Sequence, residues 1–200
     1  MIVITNPIAV ENEINCIHSL FEEGMELLHI RKPDFTEAEM KEFLSKIKSE
    51  FRNRLVLHQH HQLAEDFGIG RIHFSRKDRN SPASVWNPAK IKSTSVHSIN
   101  YFNDLSLKST HAFDYAFLSP VYPSISKPDY VSKSNLIESV KQRSNFSTKL
   151  IALGGITHEN IREVLENGFD DIALLGTIWN SSNPIENFKQ CQQIALSYSL

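Results

Sequence analysis

Short apolar runs rich in branched residues alternate with amphipathic segments of helix length along the whole chain. Each run is apolar at nearly every position, which is typical of strands covered on both faces of a parallel sheet. The pattern predicts eight strands: Ile2–Thr5, Leu27–Arg31, Leu55–His58, Arg71–Phe74, Ile91–Val96, Tyr115–Ser119, Leu150–Leu153 and Asp171–Leu175.

Several segments between these strands carry helix signals. Residues 36–39, Thr-Glu-Ala-Glu, have the form of a capping box and precede apolar positions at helical spacing. Gly24 and Gly168 stand where helices should end, each shortly before a strand. The segment 77–90 contains two prolines and leaves room for a short helix at best.

Eight strands with intervening helices in 200 residues predict one (β/α)8 TIM barrel, a single domain over residues 1–200. A doubly wound open sheet is the alternative. That class usually has a glycine-rich turn after its first strand. Here the first strand is followed by Asn6-Pro7-Ile8-Ala9, which contains no glycine, so the barrel is favoured.

Composition and charge narrow the class of ligand. The chain is 40% hydrophobic and 22% charged with a net charge of −2, which gives no support for binding nucleic acid or an anionic membrane. No apolar stretch approaches the ~20 residues that span a bilayer, and the first apolar run is too short for a signal peptide. We therefore expect a cytoplasmic protein with a small-molecule ligand. Cys16 and Cys191 lack metal-ligand spacing and are interpreted as packing residues.

The active site of such a barrel lies where the carboxyl ends of the strands meet the following loops. The residues at these positions are mostly polar, and several are cationic, which suits a phosphorylated ligand. They are Asn6, His29, Arg31, His58, Gln59, His73, Arg76, Asp78, Ser95, His97, Ser119 to Lys127, Gly154, Gly155, Gly176 and Thr177.

The loops after the last two predicted strands have a common feature. Gly154-Gly155 follows the seventh strand and Gly176-Thr177 follows the eighth. Glycines there let backbone N–H groups approach an anion at the start of a short helix, which is a common phosphate-binding arrangement in this fold. Two tight turns without a ligand are the alternative.

The stretch LVLHQHHQLA, residues 55–64, ends an apolar run in three histidines and a glutamine. His58, His60 and His61 could hold zinc or a similar ion, since imidazole suits such metals. On a turn from strand to helix, however, these side chains should point in diverging directions. Polar residues at the surface are the alternative interpretation.

Five segments resemble the thiamin phosphate synthase/TenI superfamily over nearly the full chain. They are HIRK (29–32), GRIHFSRKD (70–78), STSVHS (93–98), FLSPVYPSISKPD (117–129) and ALGGIT with Asn160 (152–160). The resemblance independently implies a TIM barrel and a thiazole phosphate as ligand. Synthases of this family also use a hydroxymethylpyrimidine diphosphate and magnesium, and they release pyrophosphate.

The resemblance carries over to particular residues. Arg31 matches an arginine of the synthase, and Asp78 matches its magnesium-binding aspartate. Lys127 matches the lysine of a Thr-x-Thr-Lys loop, in which Ser124 and Ser126 replace the threonines but keep the hydroxyls. The chain departs from the synthase where His58 and Gln59 replace an Asn-Asp pair. A neutral Gln59 cannot supply the negative charge that magnesium prefers, so Asp78 would be the only acidic ligand.

This departure favours the TenI-like branch, in which thiazole tautomerases move a proton and need no cofactor. The resemblance places His97 on the histidine of the TenI motif, and histidine exchanges protons near neutral pH. His29 is a second catalytic candidate, and His73 and Ser95 are expected in the substrate pocket. His18 and His111 receive no role.

Three hypotheses follow: a tautomerase, a thiamin phosphate synthase with an altered magnesium site, and a thiamin-pathway binder without catalysis. His97 and Lys127 would serve a binder as well as an enzyme. The sequence therefore distinguishes the binder from the two enzymes poorly. A homodimer is a further open alternative.

Overall fold

The computed structural model describes residues 1–80, 90–108, 113–125 and 135–198. Eight parallel strands close into a barrel in chain order. All eight predicted strands are confirmed, with ends that differ by at most one residue. The strands are β1 Ile2–Ile4, β2 Leu27–Ile30, β3 Leu55–Leu57, β4 Arg71–Phe74, β5 Ile91–Val96, β6 Tyr115–Leu118, β7 Lys149–Leu153 and β8 Asp171–Leu174.

Helices surround the barrel, and the predicted capping box at Thr36 is confirmed, with Glu39 as its partner. The α-helices are α1 Glu13–Glu22, α2 Glu37–Ser45, α3 Leu63–Asp66, α4 Ile99–Lys108, α5 Leu136–Ser139, α6 Ile161–Glu166, α7 Gly176–Trp179 and α8 Pro184–Tyr198. Short 3₁₀ segments are Ser49–Arg54, Asp78–Asn80 and Val140–Gln142. Within the described ranges, no helix is long and apolar enough to cross a membrane.

The barrel closes between its first and last strands. Val3 of β1 lies opposite Leu174 of β8 in a parallel ladder. Trp179 donates its indole N–H to the carbonyl of Ile4 at 2.7 Å, which ties α7 to the end of β1. The terminal ammonium of Met1 lies 3.0 Å from a carboxylate oxygen of Asp171 and joins the amino ends of β1 and β8. The first and last strands are thus paired, and the sheet has no free edge.

Alternation along the strands divides the side chains between two environments. One set faces the helices and forms the large apolar core, to which buried Cys191 belongs; Cys16 is only half-buried at its edge. The other set faces the lumen, where Tyr115, Phe117 and Ile151 pack together. His29 contacts the rings of this inner set. The lumen is therefore partly polar, whereas branched aliphatic residues usually fill it.

Hydrogen bonds satisfy the polar residues of the lumen. His29 lies 2.8 Å from the hydroxyl of Tyr115 through Nε2 and 2.9 Å from Nε2 of His58 through Nδ1. His73 lies 2.9 Å from the hydroxyl of Ser93 and 3.0 Å from that of Ser95. Burial, and then the neighbouring imidazoles, lower the pKa of His29 and His58 well below its ordinary value. Burial also lowers the pKa of His73 to about 3. All three rings are therefore neutral at neutral pH.

A buried ion pair fastens the loop after β2 to α1. The ammonium of Lys32 lies 2.8 and 2.7 Å from the two carboxylate oxygens of Glu13 and donates to the carbonyl of Ile8 at 2.8 Å. Lys32 is completely buried, and its charge also lies 5.3 Å from the centre of the Phe43 ring. Burial raises the pKa of Glu13 and lowers that of Lys32, while their mutual attraction opposes both shifts.

We expect Lys32→Met to destabilise the protein by about 3–5 kcal/mol, because it leaves the Glu13 carboxylate buried without its partner. Lys32→Met with Glu13→Leu should recover most of this loss, since no charge then remains buried. Urea unfolding measures both. Lys48→Met is the control, because its ion pair with Glu22 is exposed and should contribute no more than about 1 kcal/mol. Equal costs for Lys32→Met and Lys48→Met would contradict this account of the pair.

Acid should destabilise the fold through the lumen histidines. Their pKa values lie lower in the folded state than the ordinary value of 6.5, so the unfolded chain binds protons first as pH falls. The stability is complete above about pH 6.5 and is lost towards the folded pKa, by up to about 1.4 kcal/mol per pH unit for each histidine. Urea unfolding between about pH 7 and pH 5 measures this slope. His73→Asn should make it shallower, and an unchanged slope would contradict the assignment.

Candidate active site

A cavity of about 530 Å³ opens at the carboxyl ends of the strands. It brings together most of the residues that the sequence predicts for the site. Those in its wall are Arg31, Gln59, His73, Asp78, Ser95, His97, Ser124, Gly154, Gly155, Gly176 and Thr177. His29 lies below the wall and is completely buried; it is hydrogen-bonded to His58 and contacts the rings of His73 and Phe117, all of which line the cavity. Ser126 and Lys127 lie outside the described residues.

The loops after β7 and β8 form one part of this wall. Gly154 and Gly155 have φ angles of +103° and +64°, a backbone region that residues with a side chain rarely adopt. Helix α7 begins at Gly176, immediately after β8. The first N–H groups of a helix have no acceptor within it and carry partial positive charge. This part of the wall can therefore bind an anion through the backbone.

Side chains fix these two loops to each other. Asn160 donates to the carbonyl of Gly155 at 2.9 Å and accepts from the N–H of Thr157 at 3.0 Å. The hydroxyl of Thr177 donates to the carbonyl of Ile156, so the loops after β7 and β8 are joined. Thr177 thus contributes structure through its hydroxyl. From the sequence, Asn160 was recognisable only as part of a motif, because its hydrogen bonds depend on the folded loop.

Packing against the loop after β6 also requires glycine at both positions. A Cβ at Gly155 would lie 2.6 Å from Cβ of Tyr122 and against the carbonyl of Pro123, and one at Gly154 would lie 2.8 Å from Cα of Pro120. The N–H of Tyr122 donates to the carbonyl of Gly154 at 3.1 Å. Any side chain at Gly155 would therefore displace this neighbouring loop, whether or not a phosphate binds.

His97 follows β5 and has a defined hydrogen-bonding state. Its Nδ1 lies 2.8 Å from the carbonyl oxygen of Ser119. A carbonyl only accepts, so Nδ1 carries the proton and the neutral ring has its lone pair on Nε2. The side chain is exposed and lies in the cavity wall. His97 is thus arranged to accept a proton from a ligand.

The histidines of the 55–64 stretch do not converge on one another. His58 stacks on His73, with ring centres 4.1 Å apart, at the floor of the cavity. His60 lies 2.8 Å from the carbonyl of Phe35, and His61 packs on the ring of Phe74. The predicted divergence is confirmed, and these three side chains do not form a common metal site.

Asp78 is the only carboxylate in the described part of the cavity wall. It accepts hydrogen bonds from the backbone N–H and the hydroxyl of Ser75. Oε1 of Gln59 is buried and has no hydrogen-bond partner among the described residues. One carboxylate and one amide oxygen do not fit the magnesium site with paired acidic ligands that the resemblance to a synthase implies.

Arg31 and Arg76 add positive charge to the wall. The backbone of Arg31 is fixed by Thr5, whose hydroxyl accepts from its N–H at 2.9 Å and donates to its carbonyl at 3.2 Å. Thr5 is completely buried and was not predicted as a site residue. Its position at the end of a strand was visible in the sequence, but its partner was not.

The family profile and similar proteins of known sequence carry the name of thiamine-phosphate synthase. A family profile described as thiamine monophosphate synthase (TMP-TENI) matches residues 1–178. The thiamine-phosphate synthase of Desulfitobacterium hafniense is 25% identical over 173 residues, 84% of this chain and 82% of that protein. The one of Nitrosococcus oceani is 28% identical over 144 residues, 70% of this chain and 64% of that protein.

Solved structures agree. Thiamine phosphate pyrophosphorylase from Bacteroides thetaiotaomicron superposes with a TM-score of 0.76 at 29% identity, covering 98% of this chain and 96% of that one. The Pyrococcus furiosus pyrophosphorylase gives a TM-score of 0.80 at 19% identity, covering 98% and 95%, and supports the fold alone. Because the family profile covers residues 1–178 of 200, the chain belongs to the thiamine monophosphate synthase/TenI family.

Proposed function

We propose that this protein binds a thiazole phosphate and transfers a proton on it, as thiazole tautomerases of the TenI type do. One observation carries the proposal: the described wall combines His97, whose lone pair is on Nε2, with backbone anion-binding loops and only one carboxylate. Moving a proton requires one positioned acid–base group. Pyrophosphate release in the synthases uses magnesium, which favours paired acidic ligands, and the described wall offers one carboxylate.

The phosphate of the ligand binds at the loops after β7 and β8. The N–H groups of Gly155 and of the first turn of α7 supply hydrogen-bond donors there. Arg31 and Arg76, elsewhere in the wall, make the cavity more favourable for an anion. Asn160 holds the Gly155 peptide in place, so the donors need little rearrangement when the ligand binds.

The thiazole ring lies over the floor of the cavity. Phe117 and the neutral rings of His58 and His73 form this floor. Their uncharged state suits a flat heteroaromatic ring, which stacks on aromatic faces. Nε2 of His97 then accepts a proton from one position of the ligand and returns it to the other position that distinguishes the two tautomers. The Ser119 carbonyl keeps the ring oriented in both protonation states, because it accepts from Nδ1 throughout.

A thiamin phosphate synthase is the second candidate, favoured by the printed names of the relatives and by the presence of Arg31 and Asp78. In that case Asp78 and Oε1 of Gln59 are the oxygen donors available to magnesium. A hydroxymethylpyrimidine diphosphate would be the second substrate. A binder without turnover is the third candidate.

We expect the parent protein to catalyse tautomer exchange of the thiazole carboxylate phosphate without magnesium. His97→Ala should lower the rate by about 10²–10⁴-fold, the usual contribution of a positioned acid–base group. Binding should change much less, because the phosphate contacts lie on other strands. NMR exchange measures the rate, and calorimetry measures the affinity.

His158→Ala is the matched control, since it removes an exposed histidine near the same rim without touching β5. Rapid, magnesium-dependent formation of thiamin phosphate by the parent would overturn the tautomerase proposal in favour of the synthase. Tight binding without either activity would favour the binder.

The phosphate contacts can be tested from the side of the ligand. Removing the phosphate from the thiazole should weaken binding by about 1.5–3 kcal/mol, the range for hydrogen bonds to charged groups. Asn160→Ala should reduce this difference, because it frees the Gly155 peptide. Asn167→Ala serves as control, because it removes a similar amide that donates to the backbone carbonyl of Glu163, within α6. If both ligands bind equally well to the parent protein, the phosphate contributes nothing to binding. If Asn160→Ala leaves the difference unchanged, the phosphate is held elsewhere.

A further inference from the structure

Three imidazoles converge at the floor of the cavity from three neighbouring strands. His29 and His73 lie within β2 and β4, and His58 directly follows β3. One ring nitrogen from each lies within 4.8 Å of the other two. Nδ1 of His29 and Nε2 of His58 are only 2.9 Å apart. Nitrogens bound to one tetrahedral zinc ion are separated by a little over 3 Å, as Zn–N distances of about 2.0–2.1 Å imply.

Burying these three histidines costs free energy that an apolar packing layer would not cost. Buried polar rings lose their hydration, and hydrogen bonds within the barrel recover this loss only in part. Branched aliphatic side chains fill the corresponding layers of most TIM barrels without that cost. His29 is completely buried and His73 nearly so. Three histidines in contact here therefore call for a function beyond packing.

The chemistry of the cluster is that of a transition-metal site. Its donors are neutral nitrogens without a carboxylate, which suits zinc, copper, nickel or iron(II) and disfavours magnesium and calcium. A neutral imidazole has one N–H and one lone pair, and the hydrogen bond between Nδ1 of His29 and Nε2 of His58 places a proton on one of these two nitrogens. That proton moves to the other nitrogen of its ring when a metal binds.

Groups around the cluster resemble the outer partners of known metal sites. The other nitrogen of His29 bonds to the hydroxyl of Tyr115, and Nδ1 of His73 bonds to that of Ser93. Metal-binding histidines usually have such a partner on the second nitrogen, which fixes the ring. His29 can thus bind a metal through Nδ1, and His73 can bind it through Nε2. The metal would then replace the hydrogen bond between Nε2 of His73 and the hydroxyl of Ser95.

We propose that His29, His58 and His73 form a binding site for a divalent transition metal of the zinc class, with an open position towards the cavity. His58 and His73 lie in the cavity wall, so a ligand atom or water can take the fourth position. A metal here would act as a Lewis acid on a bound ligand. This site is separate from Asp78 and Gln59.

Metal binding requires one change of side-chain conformation. The His58 and His73 rings stack with their planes 19° apart. A metal lies in the plane of each imidazole that it binds, and two stacked rings do not share such a point. One of the two rings therefore turns when the metal binds. His73 and Ser95 both line the cavity, so the metal would replace the Ser95 hydroxyl as the partner of His73 on the side that faces the cavity.

The test uses the full chain, stripped with a chelator and titrated with Co²⁺, whose visible absorption becomes intense when the ion is bound with tetrahedral geometry. We expect one Co²⁺ per chain, displaced by Zn²⁺ but not by Mg²⁺. Tyr115→Phe preserves the packing and should weaken binding by about 10–100-fold, the usual effect of an outer partner. His58→Ala should weaken it further. His18→Ala, on α1, is the matched control and should leave binding unchanged.

Folding and binding are separated by a second measurement. Zn²⁺ should raise the Tm of the parent and of His18→Ala, but not that of His58→Ala, and circular dichroism verifies each fold. Absence of the Co²⁺ absorption in the parent, or full retention of it in both His58→Ala and Tyr115→Phe, overturns the proposal. Neither readout needs turnover. If the metal does not bind, the proposal that His97 transfers a proton is unaffected. If the protein binds Co²⁺ but is inactive, the proposed metal site is unaffected.

Discussion

Closure of the strands into a ring is the constraint on which the site depends. Every strand residue faces either the helices or a narrow lumen, so an inward polar group below the cavity needs a hydrogen-bond partner from another strand. His29 is therefore hydrogen-bonded to the hydroxyl of Tyr115, and His73 to that of Ser93. The floor of the cavity is consequently set by the barrel itself, and only its rim depends on loops. This is a favourable basis for a rigid site.

The rim is held by contacts between loops that are distant in sequence. The loop after β6 lies against Gly154 and Gly155, and Thr177 joins the loop after β8 to the carbonyl of Ile156. The same two glycines thus serve packing and the proposed phosphate contacts. A substitution at Gly155 would disturb both together, which is why a change of ligand or of Asn160 separates them better.

Much of the fold could be predicted from the sequence, because continuous apolar runs and the absence of glycine after β1 depend only on local residues. The site could be predicted less completely. His29 was expected at the rim, but its position in β2 turns it into the lumen, where closure brings it to His58 and Tyr115. Likewise Lys32 follows the rim residue Arg31, yet it lies buried against Glu13. Both outcomes depend on partners distant in sequence, which periodicity does not reveal.

The bond between Trp179 and Ile4 joins residues 175 positions apart, and β1 pairs with β8 over a similar separation. During synthesis the first strand leaves the ribosome long before its second neighbour exists. Until then β1 presents an unpaired edge, which can associate with other chains. The growing sheet is thus open throughout most of translation. Its completion comes in one late, non-local step, and such steps make folding slow.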